Sequence, residues 1–319
     1  MTAIEVQEPG LLTTVQDLGR EGFGPMGVSP SGAADSVALR LGNRLAGNEE
    51  NAAALEMTLI GGVFHFSRDA VIALAGSDFG ATLDGAPIAM WESLQARAAS
   101  ILRLGPTRSG ARCYLCVHGG VAVEPFLGSA STHLLSGLGG FQGRPLRRGD
   151  VLDIGPATRP ARKLRADPQM LQALAPRKIL RITPGPQADW FPESSQRALY
   201  ASTYRVAENS NRMGLRLEGN PIALQPTREL LTEGAPLGAI QIPRGGQPII
   251  LFVEQQTTGG YPKIANVISA DLHSIGQLRP RDEIRFELVT FETAHSLLRE
   301  KERLVSSLVA GSTGLQAGE

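Results

Sequence analysis

Residues 53–76 read AALEMTLIGGVFHFSRDAVIALAG. Apolar runs of four to seven residues, rich in Val, Ile, Phe and Leu, are cut by Gly61-Gly62 and by Ser67-Arg68-Asp69. Pieces this short cannot make a stable helix, and turn residues between β-branched or aromatic runs are the pattern of adjoining strands. The same rhythm continues outward through ATLDG at 81–85, SILRLG at 100–105, RCYLCVHGGVAV at 112–123 and RRGDVLDIG at 147–155. It begins in IEVQEPGLLTTVQDLG at 4–19, which turns at Pro9-Gly10. Turns this frequent predict a barrel or sandwich built mostly of antiparallel strands. One segment changes period. In AADSVALRLGNRLAGN, Ala34, Val37, Leu41 and Leu45 recur at spacings of three and four, which predicts a helix capped by Ser31, with Asp35 in its first turn.

After Gly155 the chain becomes rich in Ala, Arg and Pro, and a boundary is expected near residue 170. Strand-like runs return in KILRITPGPQADWF, YRVAENSNRMGLRLEG, GAIQIPRGGQPIILFVEQ and DEIRFELVTF, with short helices expected in 187–200 and 264–277. The organisation predicted is a mainly β chain of two domains, 1–170 and 171–298, followed by a helical to flexible tail at 299–319, its last dozen residues frayed. LRRGDVLDIG and LRPRDEIRFE close the two halves in a similar way, which hints at related folds.

The 319 residues carry 31 basic and 31 acidic side chains, so no global field gathers nucleic acid or an anionic membrane. No apolar run is long enough to cross a bilayer, the N-terminus lacks a signal-peptide pattern, and a cytoplasmic location is the default expectation. Cys113 and Cys116 have redox-motif spacing but no second pair; on a strand they point to opposite faces, which favours ordinary thiols over a metal site with His118 or a disulfide. The five histidines form no compact ligand set, and no metal site is expected. GGFQGRP, GGYPK and IPRGGQP match neither a phosphate-binding loop nor a dinucleotide turn.

Four polar clusters are candidates for chemistry. Gln16, Asp17 and Arg20 offer an amide, a carboxylate and a guanidinium among turn residues; a hydrogen-bonded turn with an Asp17–Arg20 pair is the plainer reading. His118 ends an apolar strand before Gly119-Gly120, where an imidazole can transfer a proton or serve structure. Asn211 and Arg212 precede an alternating strand, although turn propensity also explains the asparagine. In VEQQTTGGYPKIA a hydrophobic strand delivers Gln256, Thr257 and Thr258 to the Gly259-Gly260 turn, with Tyr261 as an apolar wall. Glycine amides and hydroxyls of this kind receive a carboxylate, carbamate or phosphate, and a tight hairpin is the alternative.

At these clusters the chain resembles the family called biotin-dependent carboxyltransferase, allophanate hydrolase subunit 2 or KipA. The resemblance rests on TTVQDLGREGF (13–23), GVSPSGAAD (27–35), LGNRLAGN (41–48), LGSAST (127–132), SNRMGLRL (210–217) and QTTGGYPKIA (256–265), and covers roughly residues 4–292. It implies two cyclophilin-like β-barrel domains and a partner resembling allophanate hydrolase subunit 1, KipI or a 5-oxoprolinase B subunit. The 5-oxoprolinase branch of the family further implies a LamB/YcsF-like A subunit and ATP-dependent opening of 5-oxoproline to L-glutamate, with ADP and phosphate released and Mg accompanying ATP in the assembled complex. On that reading Arg20 and Arg212 steady charge, Asp17 or His118 handles a proton, and Gln16, Asn211 and the loop from Gln256 to Tyr261 bind substrate. The family also implies two alternatives: carboxyl transfer to urea or a related amide, and a KipA-like regulatory role. No biotin-accepting AMKM or VMKM motif occurs, so biotin would arrive on another protein. Where relatives often read ADRQTTGGYP, this chain has VEQQTTGGYP, so Glu254 stands at the acidic position and Gln255 at the usual basic one.

Overall fold

The computed structural model describes residues 2–157, 160–224 and 230–307. The expected frayed end, 308–319, lies outside them, as do residues 158–159 of the Pro- and Arg-rich connection. The chain gathers into two compact units, one made of 1–19, 36–174 and the residues from 304 onward, the other of 20–35 with 175–303. A contiguous division at 170 omits the excursion of residues 20–35, a run of turn residues that carries no periodic signal of its own. No helix among the described residues is long and apolar enough to cross a membrane.

The first unit is built from two sheets. Seven strands run in the order Val121–Ala122, Val151–Ile154, Thr2–Glu8, Val63–Phe66, Ile101–Arg103, Thr82–Leu83, Ala86–Pro87. Five more run Leu12–Gln16, Ala54–Thr58, Arg112–Val117, Ala70–Gly76, Ser93–Ala96. The short apolar runs of residues 53–76 supply three of these strands, and Leu55, Met57, Phe64, Phe66, Ile72 and Leu74 fill a common core. The helix Ser36–Leu45 packs on Ala70–Gly76 and Arg112–Val117. Its expected start needs correction: Asp35 precedes the helix, and Ser31 lies five residues before it with a left-handed φ of 58°. The sequence places the periodic residues well but says nothing of this backbone turn.

Cys113 and Cys116 are free, buried thiols. Cys113 belongs to the inter-sheet core, whereas Cys116 faces the helix, as their spacing on a strand requires. Burial pushes both thiols far above their ordinary range, which leaves them unreactive. The helix approaches the sheet most closely at Gly42, where an added Cβ would lie 2.8 Å from Cys116 Sγ and 2.9 Å from Ala75 Cβ.

The second unit is a closed barrel. Its order is Ile179–Pro184, Lys263–Val267, Ala239–Gln241, Ile249–Leu251, Gly214–Glu218, Tyr204–Val206, Glu283–Leu288, and the last strand closes on the first in parallel. Leu180, Ile182, Leu217, Ile240, Ile250, Ile264, Ile284 and Phe286 fill its interior, with Tyr204 and Phe286 in tilted ring contact at 5.8 Å. The short helices expected here are Glu193–Ala201 and Leu272–Ile275. The mainly β expectation therefore holds.

The similar endings LRRGDVLDIG and LRPRDEIRFE fold into the same turn. Asp150 accepts from its own Arg147 N at 2.7 Å, and Asp282 accepts from Arg279 N at 2.8 Å. In each unit the aspartate carbonyl accepts from an early strand, Val6 N at 2.8 Å and Val206 N at 2.9 Å, and the preceding residue donates back to that same valine. That preceding residue is left-handed in both, Gly149 at φ 86° and Arg281 at φ 72°. A cation completes each turn: Arg144 grips Asp150 through two nitrogens at 2.7 and 2.8 Å, and Lys178 reaches Asp282 at 2.8 Å.

Two outcomes follow for stability. Gly42→Ala, which helix propensity alone would favour, is expected to destabilise the protein by about 1–3 kcal/mol through overpacking, with part of the loss recovered when Cys116→Ala is added. Denaturant titration of the two variants checks this. Asp150 is held below its ordinary value chiefly by the Arg144 hydrogen bonds, burial opposing them. A carboxyl depressed in the folded state contributes stability above its unfolded value, and that contribution disappears as pH falls through the folded value. Asp150→Asn should therefore lower stability near neutral pH by about 1–2 kcal/mol and flatten the loss of stability below about pH 4.

Candidate functional site

In the first unit, the strand Leu12–Gln16 hands the chain to Asp17, which is buried and surrounded by donors. Its Oδ1 accepts from Ser129 Oγ at 2.6 Å, Ser131 Oγ at 2.5 Å and Gly19 N at 2.8 Å, and its Oδ2 accepts from Ala130 N at 2.7 Å. Gln16 donates to Thr14 Oγ1 and to the Thr132 carbonyl, while its own Oε1 has no partner among the described residues. Both side chains thus fasten the LGSAST loop, and the geometry casts Asp17 as a clamp on that loop.

His118 lies elsewhere in this unit, away from the donors that surround Asp17. Its Nδ1 is 2.9 Å from the Ala46 carbonyl. A carbonyl only accepts, so Nδ1 carries the proton and Nε2 remains an acceptor. The ring lines a cavity of about 370 Å³ with Arg68, Asp69 and Gln95. Among the described residues no group of three or more His, Cys, Asp or Glu side chains is placed to hold a metal ion.

In the second unit, Asn211 is exposed and its Oδ1 accepts from Met213 N at 2.9 Å, a turn that leads into Gly214–Glu218. Pairing continues past the regular ladder: Phe252 N donates to Met213 O, and Glu254 N to Arg212 O at 2.8 Å. This register sets Arg212 and Glu254 side by side, where they form an ion pair with side-chain exposures of only 5% and 2%. Arg212 Nη2 also donates to Gly32 O at 2.6 Å, and Gln277 Nε2 to Asp35 Oδ2 at 2.8 Å, so two contacts fasten the 20–35 excursion to this unit. Arg20 is buried, with its amide on Pro30 O. Gln255 is buried too, so the position usually held by a cation faces the protein interior and not solvent.

The segment Gln256–Tyr261 follows directly. Thr258–Gly259 pairs with Glu233–Gly234 in a two-stranded ribbon outside the barrel, and Ala235 N holds the Thr257 carbonyl at 3.0 Å. Gln256, Thr258, Gly260 and Tyr261 are exposed, while Gly259 is buried. The loop ends at Lys263, a barrel lysine whose side chain is 2% exposed. Its Nζ lies 2.5 Å from Glu233 Oε1, which also accepts from Gln187 Nε2 at 2.7 Å. Those two bonds hold the Glu233 carboxyl below its ordinary range. Gln187 is itself fixed, since its Oε1 accepts from Lys263 N at 3.0 Å. Gly185 permits this approach, because a Cβ there would meet Lys263 O at 2.3 Å.

The structure therefore joins Arg212 to the acid preceding the Gln256–Tyr261 loop, and adds Gln187, Glu233, Gln241 and Lys263, which sequence reasoning missed. Lys263 was visible at the end of QTTGGYPKIA, where a lysine opening a buried strand is itself a signal. Arg212→Ala should lower stability by about 3–5 kcal/mol by stranding a buried carboxylate, while Arg212→Met combined with Glu254→Leu restores most of it. Unfolding curves of the single and double variants test this.

The comparisons agree with this arrangement. A family model described as "Carboxyltransferase domain, subdomain A and B" matches residues 26–288, which takes in both units and the whole Gln256–Tyr261 loop. The chain is 39% identical over 305 residues to the C subunit of 5-oxoprolinase from Escherichia coli (strain K12), spanning 96% of this chain and 97% of that protein. It is 35% identical to urea amidolyase of Saccharomyces cerevisiae over 96% of this chain, but only 18% of that protein. The crystal structure of the K. lactis urea amidolyase superposes with a TM-score of 0.88 at 33% identity, covering 99% of this chain and 20% of that one. With a match that runs through both units and relatives well above 30% identity, the chain belongs to the carboxyltransferase-domain family.

Proposed function

We propose that this chain is a C-type subunit of a 5-oxoprolinase, acting with B-like (allophanate hydrolase subunit 1 or KipI-like) and A-like (LamB/YcsF) subunits to open 5-oxoproline to L-glutamate at the expense of ATP. The observation that carries this reading is the end-to-end match with the Escherichia coli 5-oxoprolinase polypeptide, 96% of one chain against 97% of the other. A relative with the same extent supports the same division of labour between polypeptides.

An unstrained lactam resists water because its nitrogen is a poor leaving group. ATP, when bound, supplies the phosphoryl group that activates the lactam oxygen. The residues described in this chain do not fit a dedicated MgATP site: they form no acidic cluster, and the glycine-rich turns lack the phosphate-loop pattern. ATP and its metal are accordingly assigned to the other subunits, and no step through them is given to this chain. Its own contribution is to bind and orient. A glutamine carboxamide presents a donor and an acceptor in one plane, matched to a lactam edge, and exposed Gln256 stands beside Thr258 and Tyr261 for that purpose. Buried Arg212 acts through Glu254 and the loop that follows, a positioning role.

The urea amidolyase match favours a second reading, carboxyl transfer to urea or a related amide from biotin carried by another protein. Coexpression with the B-like and A-like proteins separates the two. The expected result is glutamate from 5-oxoproline only with ATP and only when this chain is present; a correctly assembled complex that makes none sinks the proposal. Gln256→Ala, an exposed change, should cut turnover by about tenfold or more without altering the unfolding curve.

A further inference from the structure

The second unit holds a cation that cannot reach water. Among the described residues Lys263 Nζ has one charged partner, Glu233, and the two are unlike in their surroundings: the lysine side chain is 2% exposed, the glutamate 40%. An ammonium fixed inside the wall demands an anion at all times. A carboxylate on the rim loses little on returning to solvent. Around this pair sit more donors than Glu233 engages. Gln241, opposite Lys263 across the ladder and 2% exposed, has an Nε2 with no partner among the described residues. That nitrogen lies 2.9 Å from where a Cβ of Gly259 would stand, and Gln256 Nε2 lies 2.6 Å from the same point. Gly259 in turn pairs with Glu233 in the outer ribbon. Two amide donors and an ammonium therefore gather beneath two exposed side chains, Glu233 and Gln256.

We infer that Lys263, Gln241 and Gln187 form a receptor for the carboxylate of a small-molecule ligand, and that Glu233 is a resident stand-in which the ligand's carboxylate displaces. Glu233 Oε1 already shows how such an oxygen is held, between Lys263 at 2.5 Å and Gln187 Nε2 at 2.7 Å. The vacated glutamate swings to solvent, and Gln241 gains the acceptor it lacks. No bond is made or broken in the exchange. The choice of 5-oxoproline as the ligand rests on the function proposed above; the receptor for a carboxylate does not.

Calorimetric titration of the full chain with L-5-oxoproline, its neutral amide 5-oxoprolinamide, and acetate tests the inference in wild type, Lys263→Met and Glu233→Gln, each checked by thermal unfolding. The acid should bind at least about tenfold more tightly than the amide in wild type, Lys263→Met should abolish that preference, and Glu233→Gln should tighten the acid by roughly threefold or more by removing the internal competitor. Glu233→Gln changes an exposed side chain, so the inference remains testable even where Lys263→Met fails to fold. Binding of acetate that depends on Lys263, without binding of 5-oxoproline, keeps the receptor and discards the substrate. An acid-to-amide preference unchanged by Lys263→Met, an affinity unmoved by Glu233→Gln, or no binding of either carboxylate overturns the receptor. ATP-dependent glutamate formation by the assembled Lys263→Met complex at wild-type KM would likewise overturn it while leaving the function intact.

Discussion

A buried guanidinium has to be answered by charge and by hydrogen bonds, and in the second unit the answer to Arg212 organises much of what surrounds it. Glu254 supplies the charge and the Gly32 carbonyl supplies an acceptor. The first brings the end of the Ile249–Leu251 strand into register with the approach to Gly214–Glu218. The second captures the excursion of residues 20–35. Because Gln256 stands two residues after Glu254, the same ion pair fixes where the polar loop leaves the barrel. The acid preceding the QTTGG sequence is therefore read most simply as an anchor, and its extra methylene relative to the family's aspartate is accommodated by a partner as long as arginine.

Much of the fold was legible because strand length and turn chemistry are local. The runs in residues 53–76 became three strands, and Cys113 and Cys116 point to opposite faces as spacing on a strand demands. The paired aspartate turns were legible as well, and their agreement extends to backbone sign: Gly149 and Arg281 both adopt left-handed φ, although only glycine does so without steric cost. What could not be read is non-local. Ser31 looked like a helix cap, but its left-handed backbone serves the 20–35 excursion, whose partners lie far along the chain at Arg212 and Gln277.

The same distinction runs through the site. Residue types drew attention to Asp17 and Arg212, the two groups best able to handle charge, yet each is fully engaged with structure. Ser129, Ala130, Ser131 and Gly19 all donate to Asp17, so the LGSAST sequence is the complement of one carboxylate. Single-sequence reasoning cannot tell a reacting group from a clamp, since both put an ionisable side chain in a polar turn. Burial with complete pairing separates them.

An exchangeable site needs the reverse condition, one partner permanent and the other replaceable. Lys263 on a barrel strand and Glu233 on a two-residue ribbon meet it, because barrel closure fixes the first while only two paired residues restrain the second. A scaffold arranged in this way suits any small planar substrate bearing or receiving a carboxyl group. Urea carboxylation and lactam opening share that need even though their activating cofactors differ. The barrel can then remain constant while the partner subunits determine which chemistry is done, which accounts for relatives with names as different as 5-oxoprolinase and urea amidolyase on one fold.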